Sequence, residues 1–276
     1  MDIPEIGDPR FREAVAAIDA GDVGALERLL AAHPALLRDR LDYGEGYFRR
    51  PHLLWFVAEN PIRNGRLPPN IAEVTRTILR AAERTGVKSV PAQRDYALGL
   101  VCSGRVPREC GVQVELIDVL VDAGARADGA LLPALAHREL AAVERLLERG
   151  AALTLTAAAC TGRAGDVARL GPLASAVERQ TALTGAALHG LAGILGQVID
   201  LGVDLDAYSP EGFHAHATAL HHAVDSGSLD AVRVLVEAGA ALGTRDRMYD
   251  GTPLDWAEYL GHPEIAAYLR EAAAGR

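Results

Sequence analysis

A recurrence near the C-terminal end constrains this chain more than any other feature. The run Thr218-Ala219-Leu220-His221-His222-Ala223 is matched 34 residues later by Thr252-Pro253-Leu254-Asp255-Trp256-Ala257. Each opening leads to a glycine, Gly227 or Gly261, and then to a second apolar run, Val232, Leu235 and Val236 or Ile265, Ala266 and Leu269. That spacing is helical, so each copy reads as a pair of helices. A threonine oxygen caps the first helix, and Pro253 suits a first turn, where its missing N–H has no partner. Small Ala223 and Ala257 let neighbouring helices approach. The glycines end the first helix in a left-handed turn at low cost. A unit of this size cannot bury its apolar stripe alone and must stack on neighbours.

Weaker copies lie upstream. Thr181-Ala182-Leu183 leads to Gly190, Ile194 and Val198; Leu155–Ala159 leads to Gly162, Val167 and Leu170; Ala130-Leu131-Leu132 leads to Val143, Leu146 and Gly150. Tyr96–Leu100 pairs with Val114, Ile117 and Leu120 across an insertion around Ser103–Val112. His52–Glu59 pairs with Ile71–Ala82 across a loop, 60–70, and Phe11–Gly21 pairs with Val23–Leu30. The pattern resembles the ankyrin repeat, whose period is about 33 residues and whose opening is Thr-Pro-Leu-His. The resemblance covers nearly the whole chain and is sharpest in its last two units. It implies an all-α, curved solenoid of about seven helix-turn-helix units with short finger loops and no continuous sheet. The expected organisation is a single array over 1–276. It has an N-terminal capping repeat (1–40), divergent repeats with long loops (41–125), central repeats (126–245) and a C-terminal capping repeat (246–276). Ala182 and Ala219 stand where the motif has proline, and Asp255 where it has histidine. These departures are expected to weaken single units without changing the architecture.

Composition narrows the function. Hydrophobic residues make up 49% of the chain but aromatics only 5%, which suits thin, closely packed helices. Charges interrupt every apolar run, so no membrane span is expected. A net charge of −9 disfavours a nucleic-acid partner. Lys88 is the only lysine, which reads as the coding bias of a GC-rich bacterial genome. Met1–Glu5 has neither a basic region nor an apolar core, and Cys102, Cys110 and Cys160 read as free thiols. Together these give the expectation of a soluble, cytoplasmic protein.

The resemblance implies that partners bind the concave side, built from fingers and the ends of first helices. Carried over by position, that surface includes Leu188, His189, His214, His216, Asp225 and Ser226. The last unit adds Met248, Tyr249, Asp250, Tyr259 and Leu260. A second candidate is the aromatic, basic finger 42–52 with the loop 60–70. There Tyr47, Arg49, Arg50, Arg63 and Arg66 are suited to an acidic peptide or a phosphate. The alternative is that Tyr47, Phe48 and Trp55 are core aromatics and the arginines a solvated rim.

His214-Ala215-His216, with Asp225 or His189, is a weak candidate metal cluster. His221 is expected to brace the turn, and His222, next on the helix, to point elsewhere. His222 and Ser226 are four apart, but Asp225 is badly placed to orient them as a nucleophile pair. No phosphate loop, metalloprotease helix, nucleophile elbow or Cys-x-x-Cys is present. The expectation is therefore a protein-binding module, not an enzyme, with no cofactor and with another protein as partner. The alternatives are a metal- or small-molecule-dependent enzyme using His214, His216 and Asp225, or an inhibitor that occludes an enzyme site.

Overall fold

The computed structural model describes residues 6–275. Met1–Glu5, on which the reading of the N-terminus rests, lies outside them, as does Arg276. The contacts divide the chain into two compact units, 1–152 and 153–276. Among the described residues every regular element is helical, and a single isolated bridge joins Tyr208 to Thr218. No helix among them is long and apolar enough to cross a membrane.

The first unit starts with α1 (Pro9–Ala20) and α2 (Val23–Ala32). Asp8 caps α1 by accepting from the Arg10 and Phe11 backbone N–H groups, and Pro9 opens its first turn. Phe11, Ala14, Val15 and Ile18 form its buried stripe. A 3₁₀ segment (Leu53–Ala58) precedes α3 (Ile71–Arg84), and α4 (Val90–Cys102) precedes α5 (Arg105–Glu109) and α6 (Gln113–Asp122). The unit ends with α7 (Ala127–Ala136) and α8 (Leu140–Glu148). First helices stack in one row, α1 on the 3₁₀ segment, then α4, then α7. Second helices stack in another, α2 on α3, α6 and α8.

Two local expectations are refined here. The insertion Ser103–Val112 is not a bare loop: it holds α5, with Val106 and Pro107 buried. The segment 52–59 forms 3₁₀ rather than α-helix, and all of Leu53–Ala58 is buried. A run with no polar side has no outward face, so it is buried all round.

The second unit is more regular. Its pairs are α9 (Leu155–Cys160) with α10 (Ala164–Leu170), and α11 (Ala176–Leu188) with α12 (Ala192–Ile199). Then come α13 (Ala219–Asp225) with α14 (Leu229–Glu237), and α15 (Pro253–Tyr259) with α16 (Pro263–Ala274). The odd-numbered helices stack in sequence, as do the even-numbered ones. Ala223 and Ala257 are fully buried between the rows. Gly227 and Gly261 have φ of +72° and +73°, the left-handed turn expected of them. Among the described residues, seven pairs are built from two α-helices, and the 3₁₀ segment with α3 makes an eighth.

Thr181 is not a cap. α11 begins at Ala176 with Ser175 as its cap, and the Thr181 hydroxyl donates to the Val177 carbonyl within the helix. Asp255, by contrast, replaces the motif histidine without loss. Its carboxylate accepts from the Thr252 N–H and hydroxyl, both at 2.8 Å, and closes a capping box. The weakening expected from that substitution is therefore absent from this hydrogen-bond pattern.

Candidate functional site

In the second unit, His189 is the C-cap of α11, Asp225 ends α13 and Tyr259 ends α15. Asp225 and Tyr259 are equivalent places and His189 sits one position later, at the ends of three first helices that pack in sequence. The fingers 203–217 and 241–252 lead into α13 and α15. His221 holds this arrangement in register. Its Nδ1 accepts from the Thr218 N–H at 3.3 Å, and its Nε2 lies 3.0 Å from the Gly251 carbonyl of the next finger. This is the bracing role expected for it.

Asp246 organises the last finger. Its carboxylate accepts from the backbone N–H groups of Met248, Tyr249 and Gly251 and from Trp256 Nε1, at 2.7–2.9 Å. Burial pushes its pKa up, but these hydrogen bonds outweigh burial and hold it at about 2. The backbone of Met248 and Tyr249 is thus fixed while their side chains stay 60% and 74% exposed. Tyr259 is 90% exposed and Leu260 is exposed beside it. Asp250 lies 3.4 Å from Arg245.

His222 does not point elsewhere. Its ring centroid lies 5.2 Å from that of His214 and 5.7 Å from that of His216. Trp256 packs against His216 at 6.0 Å and His222 at 6.1 Å. One helical position after His221 lands under the folded-back finger, not in solvent. Burial, reinforced by His214 and His216, holds the His222 pKa down at about 3, so the ring is neutral at neutral pH. His216 is also lowered, first by burial, while Asp246 and Asp225 pull it back up. Among the described residues no three His, Cys, Asp or Glu side chains are arranged to hold a metal ion. Ser226 is committed to its own turn: its hydroxyl donates to the Ala223 carbonyl and accepts from the Ser228 N–H.

The first-unit candidates divide. Phe48 and Trp55 are core, as the alternative reading has it, in an aromatic cluster with Tyr43 and Phe56. Tyr47 is 58% exposed, and its hydroxyl donates to Asn60 Oδ1 at 2.9 Å. Arg49, Arg50 and Arg66 are exposed. Arg63 is engaged internally: its guanidinium donates to Asp19 and Glu59 and lies 4.9 Å from the Phe56 ring centroid. The loop 60–70 starts from the buried Glu59 carboxylate, which also accepts from the N–H groups of Arg63, Asn64 and Gly65. Asn70 anchors its far end by donating to the Gly21 carbonyl.

Comparison with known proteins bears on this geometry. A family model described as ankyrin repeats (3 copies) matches residues 183–275. The Notch-regulated ankyrin repeat-containing protein of Homo sapiens is 34% identical over 91 residues, 31% of this chain and 75% of that protein. The chain belongs to the ankyrin repeat family. Cyclin-dependent kinase inhibitor 2A of Homo sapiens is 48% identical over 56 residues, 20% of this chain and 35% of the relative. Protein phosphatase 1 regulatory subunit 27 of Mus musculus is 43% identical over 74 residues, 27% of this chain and 45% of the relative. The chain therefore spans between a third and a half of the length of these two relatives.

Within the ankyrin repeats, sequence reasoning missed Asp246 and Trp256. An Asp two residues before Met248 and four before Asp250-Gly251 signals an Asx turn, which would have found the first. Nothing local marks Trp256, whose role depends on a finger that folds back from the preceding repeat. Leu173 and Val177, exposed around the Ser175 cap, were also missed.

Proposed function

We propose that this ankyrin-repeat chain is a protein-binding module without catalytic activity of its own. Its contact surface on the second unit is the finger 241–252 with the ends of α13 and α15. The observation that carries the reading is the exposure of Met248, Tyr249, Tyr259 and Leu260 on a rigidly held backbone. Large side chains exposed at fixed positions are what a binding hot spot needs, because little ordering entropy remains to be lost. His189, His214, His216, Asp225 and Asp250 supply a polar rim.

The relatives support a partner that is itself an enzyme, since their names describe a kinase inhibitor and a phosphatase subunit. The net charge of −9 supports a protein over nucleic acid, and the free cysteines support a reducing cytoplasm. A single lysine among 28 basic residues supports a bacterial source.

The test is affinity capture from extract with the full chain and with a Tyr249→Ala/Tyr259→Ala variant. The expected result is a protein held by the wild type and lost from the variant. Equal capture by both would place the contact elsewhere.

A further inference from the structure

The first unit contains a cavity of about 340 Å³ that plays no part in the proposed protein contact. Its walls include Arg40, Tyr47, Arg49, His52, Trp55 and Tyr96. The volume falls at the low end of the range for small-molecule sites, roughly 300–1,000 Å³. It is larger than a bare oxyanion needs.

Two observations say what belongs there. First, the charge is one-sided. No Asp or Glu lines the cavity, although the chain as a whole is strongly acidic. Among the described residues, no carboxylate lies within ion-pair distance of Arg40 or Arg49. Second, the walls are flat and fixed. Trp55 stacks on Tyr96 at 4.1 Å, His52 meets Trp55 edge-on at 5.4 Å, and the Arg40 guanidinium lies 5.5 Å from the Trp55 ring centroid. The Tyr96 hydroxyl donates to the Tyr47 carbonyl and ties two walls together.

We propose that this cavity binds a small organic acid, a carboxylate or phosphate carried on a flat body. Arg40 and Arg49 take the anion, and charge-assisted bonds from guanidinium groups suit either headgroup. The exposed rings of Tyr47 and Tyr96 flank the body, with Trp55 packed behind them. Burial, and then the Arg40 charge, lowers the His52 pKa and favours the neutral ring, so the anion charge falls to the arginines.

The two tryptophans make the test direct. Trp55 borders the cavity, whereas Trp256 Nε1 is already bonded to Asp246 and serves as the control. The full chain, labelled with nitrogen-15, is titrated with phenyl phosphate, benzoate, inorganic phosphate and neutral benzyl alcohol. A Trp256→Phe variant assigns the two indole signals. The expected result is a saturable shift of the Trp55 signal with phenyl phosphate or benzoate, while the Trp256 signal stays in place. Arg40→Gln or Arg49→Gln should weaken binding by about tenfold, the size expected for one charge-assisted contact. Both arginines are exposed, so these variants keep the core, and unchanged dispersion of the other signals checks this. No Trp55 shift at millimolar probe would overturn the site. Equal binding of benzyl alcohol, or unweakened binding in both arginine variants, would overturn the anion. Inorganic phosphate binding as tightly as phenyl phosphate would overturn the organic body and leave free phosphate as the ligand.

Discussion

The two units use their large side chains in opposite ways. In the first, Tyr43, Phe48, Trp55 and Phe56 turn inward and replace the missing regularity of the repeats with one aromatic cluster. In the second, alanine-rich helices pack with fewer of them, Phe213 being buried and Trp256 half-buried, and Tyr249 and Tyr259 remain outside. Polar groups follow the same division. The first unit concentrates them: buried Glu59 bonds Arg63 and three loop N–H groups, and Asp19 completes the clamp. Buried Glu139 and Gln113, with the exposed Arg108, form a second such knot. The second unit has one such knot at Asp246 and otherwise spreads its polar groups over short capping boxes and the His221 brace. A regular repeat is stabilised by many small local terms. A degenerate one depends on a few large ones.

The sharpest way to break this contrast is to remove a clamp. Glu59→Ala leaves Arg63 and three backbone donors short of a partner. Losing one member of a buried pair costs about 3–5 kcal/mol, read as a fall in the urea midpoint. An effect under about 1 kcal/mol would show that the first unit is not held this way.

Acid should find the second unit instead. The His222 pKa is lowered from 6.5 to about 3, so the unfolded chain takes up this proton first. Stability is then lost as the pH falls below 6.5 toward 3, by up to about 1.4 kcal/mol per pH unit. Asp246, lowered from 3.8 to about 2, adds loss of the same sign below about pH 4. His222→Phe should flatten the upper part of the profile in thermal unfolding between pH 7 and 4. A slope unchanged by the substitution would assign the acid sensitivity to other groups.

Removing a single distributed term should matter less. Asp255→Ala opens one capping box and is expected to cost about 1 kcal/mol by urea unfolding. A loss as large as that of Glu59→Ala would erase the difference between the units. Tyr249→Ala and Tyr259→Ala, being exposed, should change stability by no more than about 0.5 kcal/mol. A larger loss would mean these rings support the fold and are not held in reserve for a partner.

The same division explains what could be read in advance. Repeat positions in the second unit were legible because period, cap and glycine turn all repeat there: His221 braces, Gly227 and Gly261 turn left-handed, and the apolar stripes face inward. Thr181 misled because its motif-like context lies mid-helix, with the true cap six residues earlier at Ser175. His222 misled because a helical-wheel argument places a side chain on a helix but says nothing of a loop folding over it. In the first unit, Arg63 looked like a surface cation. Its partners Asp19 and Glu59 lie 44 and 4 residues away, and only the fold brings all three together. The cavity beside Trp55 was invisible for the same reason: Arg40, His52 and Tyr96 come from three separate stretches of chain.

The central claim is that the second unit presents its exposed finger residues to a protein partner. Photo-crosslinking tests it most directly, with a benzophenone amino acid placed at Tyr249, at Tyr259, or at exposed Ala267 on α16 as a control, in extract. The account predicts one discrete covalent adduct shared by positions 249 and 259 and missing from 267. An adduct formed only from 267, or none from either tyrosine position, would contradict it.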